Sequence, residues 1–597
     1  SLMSTTRRRV VTALGSTMLM PIVAGDAFGE TPSGADRAFS SLAQRWLDQS
    51  MRLSPVGATQ IGDHRFDGQL DDMSAEGRNA GLRFAHQTLD ALNRIDKTQL
   101  SRANQVDAAL LSNALRAQIW TTEIVQDWAW NPLTYQGVAG GAIYGLMARE
   151  FAKLPTRLAA ATRRLEAMPR LLQQAREQLD PTRVPAPHAA TYALQNPGLK
   201  STITDMIEPH KDALPGVART RLQAAIATHN AAVDEHQHWI ETTLVPAAKA
   251  DFRAGAERFD QQLQFTLQSS LTRQQIRQRA EAAVVSVRAQ MYAVSKQALA
   301  GKPGAPPTPD NPTPDQQQAV IRAALDLAAA DRPPRDQVVQ FASGTVEEAR
   351  QFVAAKDLIT LPAGPVRVME IPEFARGFAV AYCDSPGPLD KNLATFYCVL
   401  PIPSDWSDEQ VTSFLREYNT RAICDVGVHE AMPGHYVQLF HSNSYPSVLR
   451  AILGSGSFIE GWAVYAEGMI VEQGFRGDDP LYKLSQLKVL LRTVTNSIID
   501  QAIHCDGMTQ EQMMQLLTQT AFQEEREAAG KWRRAQLSVT QLSTYFVGVT
   551  EHNETRAAAE QRDGASFNLK AYHDGILAYG SPPMRYARAL YLNEPIV

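Results

Sequence analysis

Residues 428–439 read V-H-E-A-M-P-G-H-Y-V-Q-L, and the Pro433-Gly434 pair inside them dictates what this stretch can become. The surrounding pattern is helical. Pro433 has no N–H to give a helix, and its ring collides with the carbonyl of residue 429, while Gly434 tolerates dihedrals closed to other residues. A helix entering here must bulge or break. That break decides whether His429 and His435 can meet. Six residues apart on an ideal helix they point roughly 120° from one another, whereas the four-residue spacing of H-E-x-x-H puts both imidazoles on one face. With the backbone bent between them, His429, Glu430 and His435 become the residue types that a catalytic zinc site needs. Two neutral imidazoles would hold the ion and a carboxylate beside it would take a proton from water. Without such a bend the stretch is a Pro-Gly helix terminus carrying two incidental histidines.

The following segment supplies what the first lacks. Residues 457–469 read S-F-I-E-G-W-A-V-Y-A-E-G-M, and Glu460 follows His435 by twenty-five residues. A second helix packed across the first would deliver Glu460 as a third ligand, leaving one position for water. Glu467, seven residues on and hence on the same face, is a partner for a ligand or an alternative ligand. Phe458, Ile459, Trp462 and Tyr465 surround both carboxylates with apolar bulk, and buried carboxylates need partners.

H-E-A-M-P-G-H followed by E-G-W-A-V-Y-A-E resembles domain-of-unknown-function family 885, bacterial proteins similar to gluzincin-type zinc metallopeptidases. The resemblance also takes in G-D-H-R-F-D-G-Q-L-D-D at 62–72, L-R-T-V-T-N-S-I-I-D-Q-A-I-H at 491–504 and F-N-L-K-A-Y-H-D-G-I-L at 567–577. The angiotensin-converting enzyme, thimet oligopeptidase and carboxypeptidase Taq families are more distant look-alikes. What the resemblance implies is a mainly α fold around a deep channel, one zinc per chain held by His429, His435 and Glu460, and hydrolysis of small peptides.

Composition sets the outer limits. The chain has 597 residues, 44% of them apolar and 20% charged, with a net charge of -5. It is globular in kind, and its charge offers nothing to attract nucleic acid or an anionic membrane. Ser1 and Leu2 stand before Met3 as a vector-derived lead. T-T-R-R-R-V-V-T-A-L-G-S-T-M-L-M-P-I-V-A then has the layout of a signal peptide, with a basic start at 7–9 and an apolar run ending in small residues. The consecutive arginines resemble a twin-arginine signal. Residues 1–29 are therefore expected to be removed on export, leaving a periplasmic or secreted protein with no stable membrane insertion. The four cysteines are too few for a disulfide scaffold; Cys383 and Cys398 are placed to pair across a hairpin, whereas Cys424 and Cys505 read as core.

From about 35 to 300 the pattern is helix after helix. Leu154, Leu158, Ala161, Leu165, Met168, Leu172, Ala175 and Leu179 form one apolar stripe, with Pro169 as a kink point. The aromatic- and Gly-rich run at 128–145 reads as a loop. Six prolines at 300–314 mark a connection, giving an N-terminal helical region at 30–315 and a metal-binding region at 316–597, expected to form one continuous fold. The convincing strands lie at 366–371, 378–383 and 394–400. They make a small sheet next to the zinc helix, whose edge strand would hold an extended peptide.

The chemistry expected is Glu430-assisted attack of zinc-bound water on an amide carbonyl. The oxyanion needs a further donor, for which Tyr545, His573 and His504 are candidates. His504 is preferred because Asp500, four residues earlier, would orient it. Arg492, Arg556 and Arg585 are candidates for holding a peptide's free carboxylate. Two alternatives use the same residues: a zinc amidase or esterase acting on a non-peptide metabolite, and a non-catalytic helical binding protein.

Overall fold

The computed structural model describes residues 31–363, 366–371, 379–390 and 392–596, so the expected signal peptide lies outside the described residues. The fold is mainly α with one small sheet, as the periodicity implied. The helices that build and support the site are, in chain order, α1 (Pro55–Ile61), α2 (Leu133–Met147), α3 (Leu154–Gln178), α4 (Arg273–Leu299), α5 (Thr420–Glu430), α6 (His435–Ser442), α7 (Gly456–Glu472), α8 (Pro480–Asp506), α9 (Glu525–Leu537) and α10 (Thr544–Asp563).

The apolar stripe of α3 is buried from Leu158 to Ala175 with Pro169 inside the helix. The Gly-rich run is a correction. Instead of a loop, 133–147 form α2, and its glycines are explained by contact: a Cβ at Gly141 would meet the Gln60 side chain at 2.5 Å and Val56 at 3.2 Å on α1. The missing side chain lets Gln60 and Val56 of α1 pack directly on the backbone of α2, so glycine here marks packing.

The Pro-rich connection does not part the molecule into separate cores. The main apolar cluster joins Phe259, Leu263 and Ile276 to Val428, Trp462, Tyr465 and Ile576. A second joins Phe39, Trp46 and Leu111 to Val448 and Leu449. The longest contact runs along α4 and α8. Among the described residues, no helix is long and apolar enough to cross a membrane.

The three strands are β1 (Arg367–Glu370), β2 (Ala381–Asp384) and β3 (Phe396–Val399), ordered β1-β3-β2, with β1 parallel and β2 antiparallel to β3. β2 is thus an edge strand, and it abuts α5. Its register corrects the cysteine expectation. Cys383 lies opposite Tyr397 and Cys398 opposite Tyr382, so the two thiols project from opposite faces of the sheet and cannot bridge. All four cysteines are free.

Candidate metal centre

The helix breaks where the sequence required it. α5 ends at Glu430 and α6 begins at His435, with a cis Met432-Pro433 bond between them. Ala431 and Met432 N–H groups both return to the Gly427 carbonyl, at 2.9 and 3.1 Å, and Gly434 N–H donates to Val428 O at 2.9 Å. The chain passes so close to its own previous turn that a Cβ at 434 would run into the carbonyl oxygens of Val428 and His429. Only glycine fits there. Trp462 Nε1, on α7, donates to Pro433 O at 3.0 Å and ties the bend to the helix that carries the carboxylates.

The consequence is convergence. The rings of His429 and His435 stand 4.9 Å apart, nearly perpendicular. Glu460 Oε2 lies 3.5 Å from His429 Nε2 and 3.4 Å from His435 Nε2. All three side chains are largely buried, and their ligand atoms fall within 4.8 Å of one another. These separations are long for hydrogen bonds but suit a shared ion: donors about 2.0–2.1 Å from a tetrahedral zinc lie about 3.4 Å from each other. Neither ring nitrogen of His435 makes a hydrogen bond among the described residues. A buried imidazole left in this state is costly unless something else binds it. Burial would raise the Glu460 carboxyl pKa, but the two imidazoles hold it well below the usual carboxylate range. The residues therefore fit a zinc ion in number, kind and spacing.

Behind the cluster, Glu467 Oε2 lies 2.9 Å from His429 Nδ1. It holds the Nδ1 side of the His429 ring, leaving Nε2 toward Glu460. Glu467 in turn faces Asp425, whose carboxyl is pushed well above its ordinary range by burial and by the Glu467 charge. This buried relay went unnoticed in the sequence, although Asp425 precedes His429 by four residues, the spacing at which helix neighbours share a face.

Glu430 is buried beside His429, and its Oε2 accepts the Cys383 N–H of β2 at 3.1 Å. The edge strand thus positions the carboxylate. Tyr545, on α10, is also buried, and its hydroxyl oxygen accepts from Arg534 Nη2 at 3.0 Å. Burial raises its pKa first and the Glu460 charge next. The Gln541 side chain also reaches the phenol.

The other expected residues are not brought in. His504 receives the Ala254 N–H at Nδ1 (3.1 Å), while Nε2 donates to Ala535 O and Ser538 O, both at 2.8 Å. The expected Asp500 partnership does not form: Asp500 instead accepts from Thr540 N, Ser543 N and Ser543 Oγ. His573 donates from Nδ1 to Leu358 O and accepts the Tyr465 hydroxyl at Nε2, both at 2.7 Å. Both histidines spend both nitrogens on the core. Of the arginines, Arg492 is locked between Glu417 and Glu527 at 2.9 and 3.0 Å, Arg556 pairs with Glu472 and Glu560, and Arg585 lies exposed against Tyr586.

A cavity of about 730 Å³ opens beside Tyr436, the residue after His435, and is lined in part by Arg149, Arg367 and Phe440.

With this geometry in hand, the family can be assigned: the model for "Bacterial protein of unknown function (DUF885)" matches residues 55–590. The chain belongs to the DUF885 family. Among solved structures, it is similar to a candidate lipoprotein of unknown function from Shewanella oneidensis, with 32% identity and a TM-score of 0.80, covering 93% of this chain and 99% of the other. A second candidate lipoprotein, from Colwellia psychrerythraea, is 16% identical with a TM-score of 0.76, covering 94% and 99%, a likeness of fold alone. No curated protein matches.

Proposed function

We propose that this DUF885 protein is an exported zinc-dependent hydrolase that cleaves amide bonds in small peptides. The observation that carries the reading is the approach of His429, His435 and Glu460 to donor separations of 3.4 and 3.5 Å, with neither ring nitrogen of buried His435 hydrogen-bonded among the described residues. His429, His435 and Glu460 would hold the zinc, which when bound supplies a Lewis acid that polarises a scissile carbonyl and acidifies water.

The chain's own groups do the rest. Glu430, aimed by the Cys383 N–H, takes the proton of the attacking water and returns it to the leaving nitrogen. Tyr545, oriented by Arg534, donates its phenolic hydrogen to the oxygen that gains charge as the carbonyl is attacked. Glu467 and Asp425 keep the His429 ring in register, and burial of the whole cluster strengthens every one of these interactions.

Export by the twin-arginine route is part of the same reading, supported by the Arg7–Arg9 start and by the likeness to candidate lipoproteins. That route would carry the protein across the membrane folded.

The test is direct. Metal analysis of the purified protein is expected to give about one zinc per chain, lost in His435→Ala. A peptide-library digest is expected to show cleavage by the wild type and none by Glu430→Gln. Zinc retained with no peptide cleaved would remove the peptidase reading.

A further inference from the structure

The cavity of about 730 Å³ adjoins the metal centre through two short links of chain. Tyr436 on its wall follows the ligand His435. Arg149, also on its wall, pairs at 2.5 Å with Asp384, the residue after Cys383, whose N–H holds Glu430. Its volume lies within the range of about 300–1,000 Å³ typical of small-molecule sites.

The helix α6 supplies an apolar wall. Tyr436, Leu439 and Phe440 stand at i, i+3 and i+4, so they share a face, and all three line the cavity. Phe440 is 44% exposed, a large apolar side chain left uncovered on the helix that begins with a metal ligand. The sheet supplies a charged wall. Arg367 of β1, Phe396 of β3 and Asp384 of β2 form one rung across the three strands. Partners in a rung point to the same side of a sheet, and Arg367 and Phe396 both line the cavity. Two strand spacings, about 10 Å, separate Arg367 from Asp384, and Asp384 is taken by Arg149. Arg367 therefore keeps its fork: it is exposed and, among the described residues, makes neither a hydrogen bond nor an ion pair. The lining carries one acid, the exposed Glu150, against the two guanidiniums. A free guanidinium at the wall of an apolar-sided cavity is matched by a guest that carries a carboxylate next to an apolar side chain.

We propose that this cavity is the recognition subsite of the hydrolase, with Arg367 holding a carboxylate of the peptide while Tyr436 and Phe440 pack on an apolar side chain beside it. The inference rests on the hydrolase reading above and narrows its substrates to short peptides that bring a negative charge together with apolar bulk. It assigns the carboxylate to the first residue of β1, in place of the three C-terminal arginines that the sequence suggested.

Binding to full-length Glu430→Gln protein, which is expected not to turn substrate over, tests this by calorimetry. One pair of probes is Ala-Ala-Phe and its C-terminal amide; the other is Ala-Glu-Phe and Ala-Gln-Phe, each acetylated and amidated. The charged member of at least one pair is expected to bind at least about threefold more tightly than its neutral partner, and to lose that advantage in 1 M NaCl. A preference in the first pair identifies a free carboxyl end as the group held, and one in the second an acidic side chain. Arg367→Gln should abolish the preference, Arg367→Lys should retain part of it, and Arg585→Gln should leave it whole. Phe440→Ser should weaken charged and neutral peptides alike without changing their ratio, a split that a merely structural role would not give. No preference in either pair, binding of none of the four peptides, a preference that survives Arg367→Gln, or binding untouched by Phe440→Ser would overturn the proposal. The two readings separate cleanly. Peptide cleavage by the wild type without a charge preference ends this inference alone, whereas an Arg367-dependent preference without cleavage ends the peptidase reading alone.

Discussion

Nδ1 of His429 sits 2.9 Å from Oε2 of Glu467, and both side chains are almost fully buried. A carboxylate in this position makes the imidazole a better metal donor and prevents it from flipping. Glu467→Gln keeps the shape but removes the charge. The expected result is a zinc affinity lower by about 10- to 100-fold, measured by competition with a chelator of known affinity, with little loss of helix content by circular dichroism. Unchanged affinity would mean that Glu467 does not support the ligand.

Glu430 and Tyr545 are expected to act on the reaction and not on the metal. Glu430→Gln should retain about one zinc per chain while kcat falls at least about 10²-fold. Tyr545→Phe removes a single hydroxyl, and kcat should fall by about 10²- to 10³-fold with KM nearly constant. A Tyr545→Phe enzyme that kept wild-type kcat but showed a raised KM would place the phenol in substrate binding instead.

The bend at 431–434 makes its own prediction. A methyl group at 434 would occupy the space of the Val428 and His429 carbonyls, so the backbone must shift where two ligands depend on it. Gly434→Ala is expected to cost about 3 kcal/mol or more, read as a lower denaturation midpoint, and to lose zinc binding even where the protein still folds. Gly140→Ala is the control, since nothing lies within 4 Å of a Cβ there.

Why some of this was readable in the sequence, and some was not, follows from the range of the interactions. Pro433 and Gly434 act on their own backbone, so the break between α5 and α6 was legible from one dozen residues. Glu460 was found because apolar bulk around a carboxylate demands a partner. His504 misled because its spacing from Asp500 satisfied a local rule, while tertiary contacts gave each residue other partners: Asp500 went to Thr540 and Ser543, and His504 to Ala535 and Ser538. The glycines of α2 misled for a similar reason, because their meaning lies in α1, more than seventy residues away.

The G-D-H-R-F-D motif offers a test by pH through side chains that are not metal ligands. His64 lies with Nε2 2.7 Å from Asp390 and Nδ1 3.0 Å from Asp67, stacked 3.7 Å over Phe151, and so ties the N-terminal helices to the loop between β2 and β3. Burial alone would lower its pKa, but Asp390 and Asp67 overcome that and raise it from 6.5 to about 9. In the unfolded chain the imidazole loses its proton near 6.5, whereas in the folded protein it keeps it to about 9. Its contribution is therefore complete below about pH 6.5 and is lost as pH climbs through 9. Denaturant titrations of wild type and His64→Gln should differ by on the order of 2–3 kcal/mol at pH 6, and the gap should close progressively between pH 6.5 and 9. A difference that stays constant across that range would show that the clasp is held by packing on Phe151 rather than by charge.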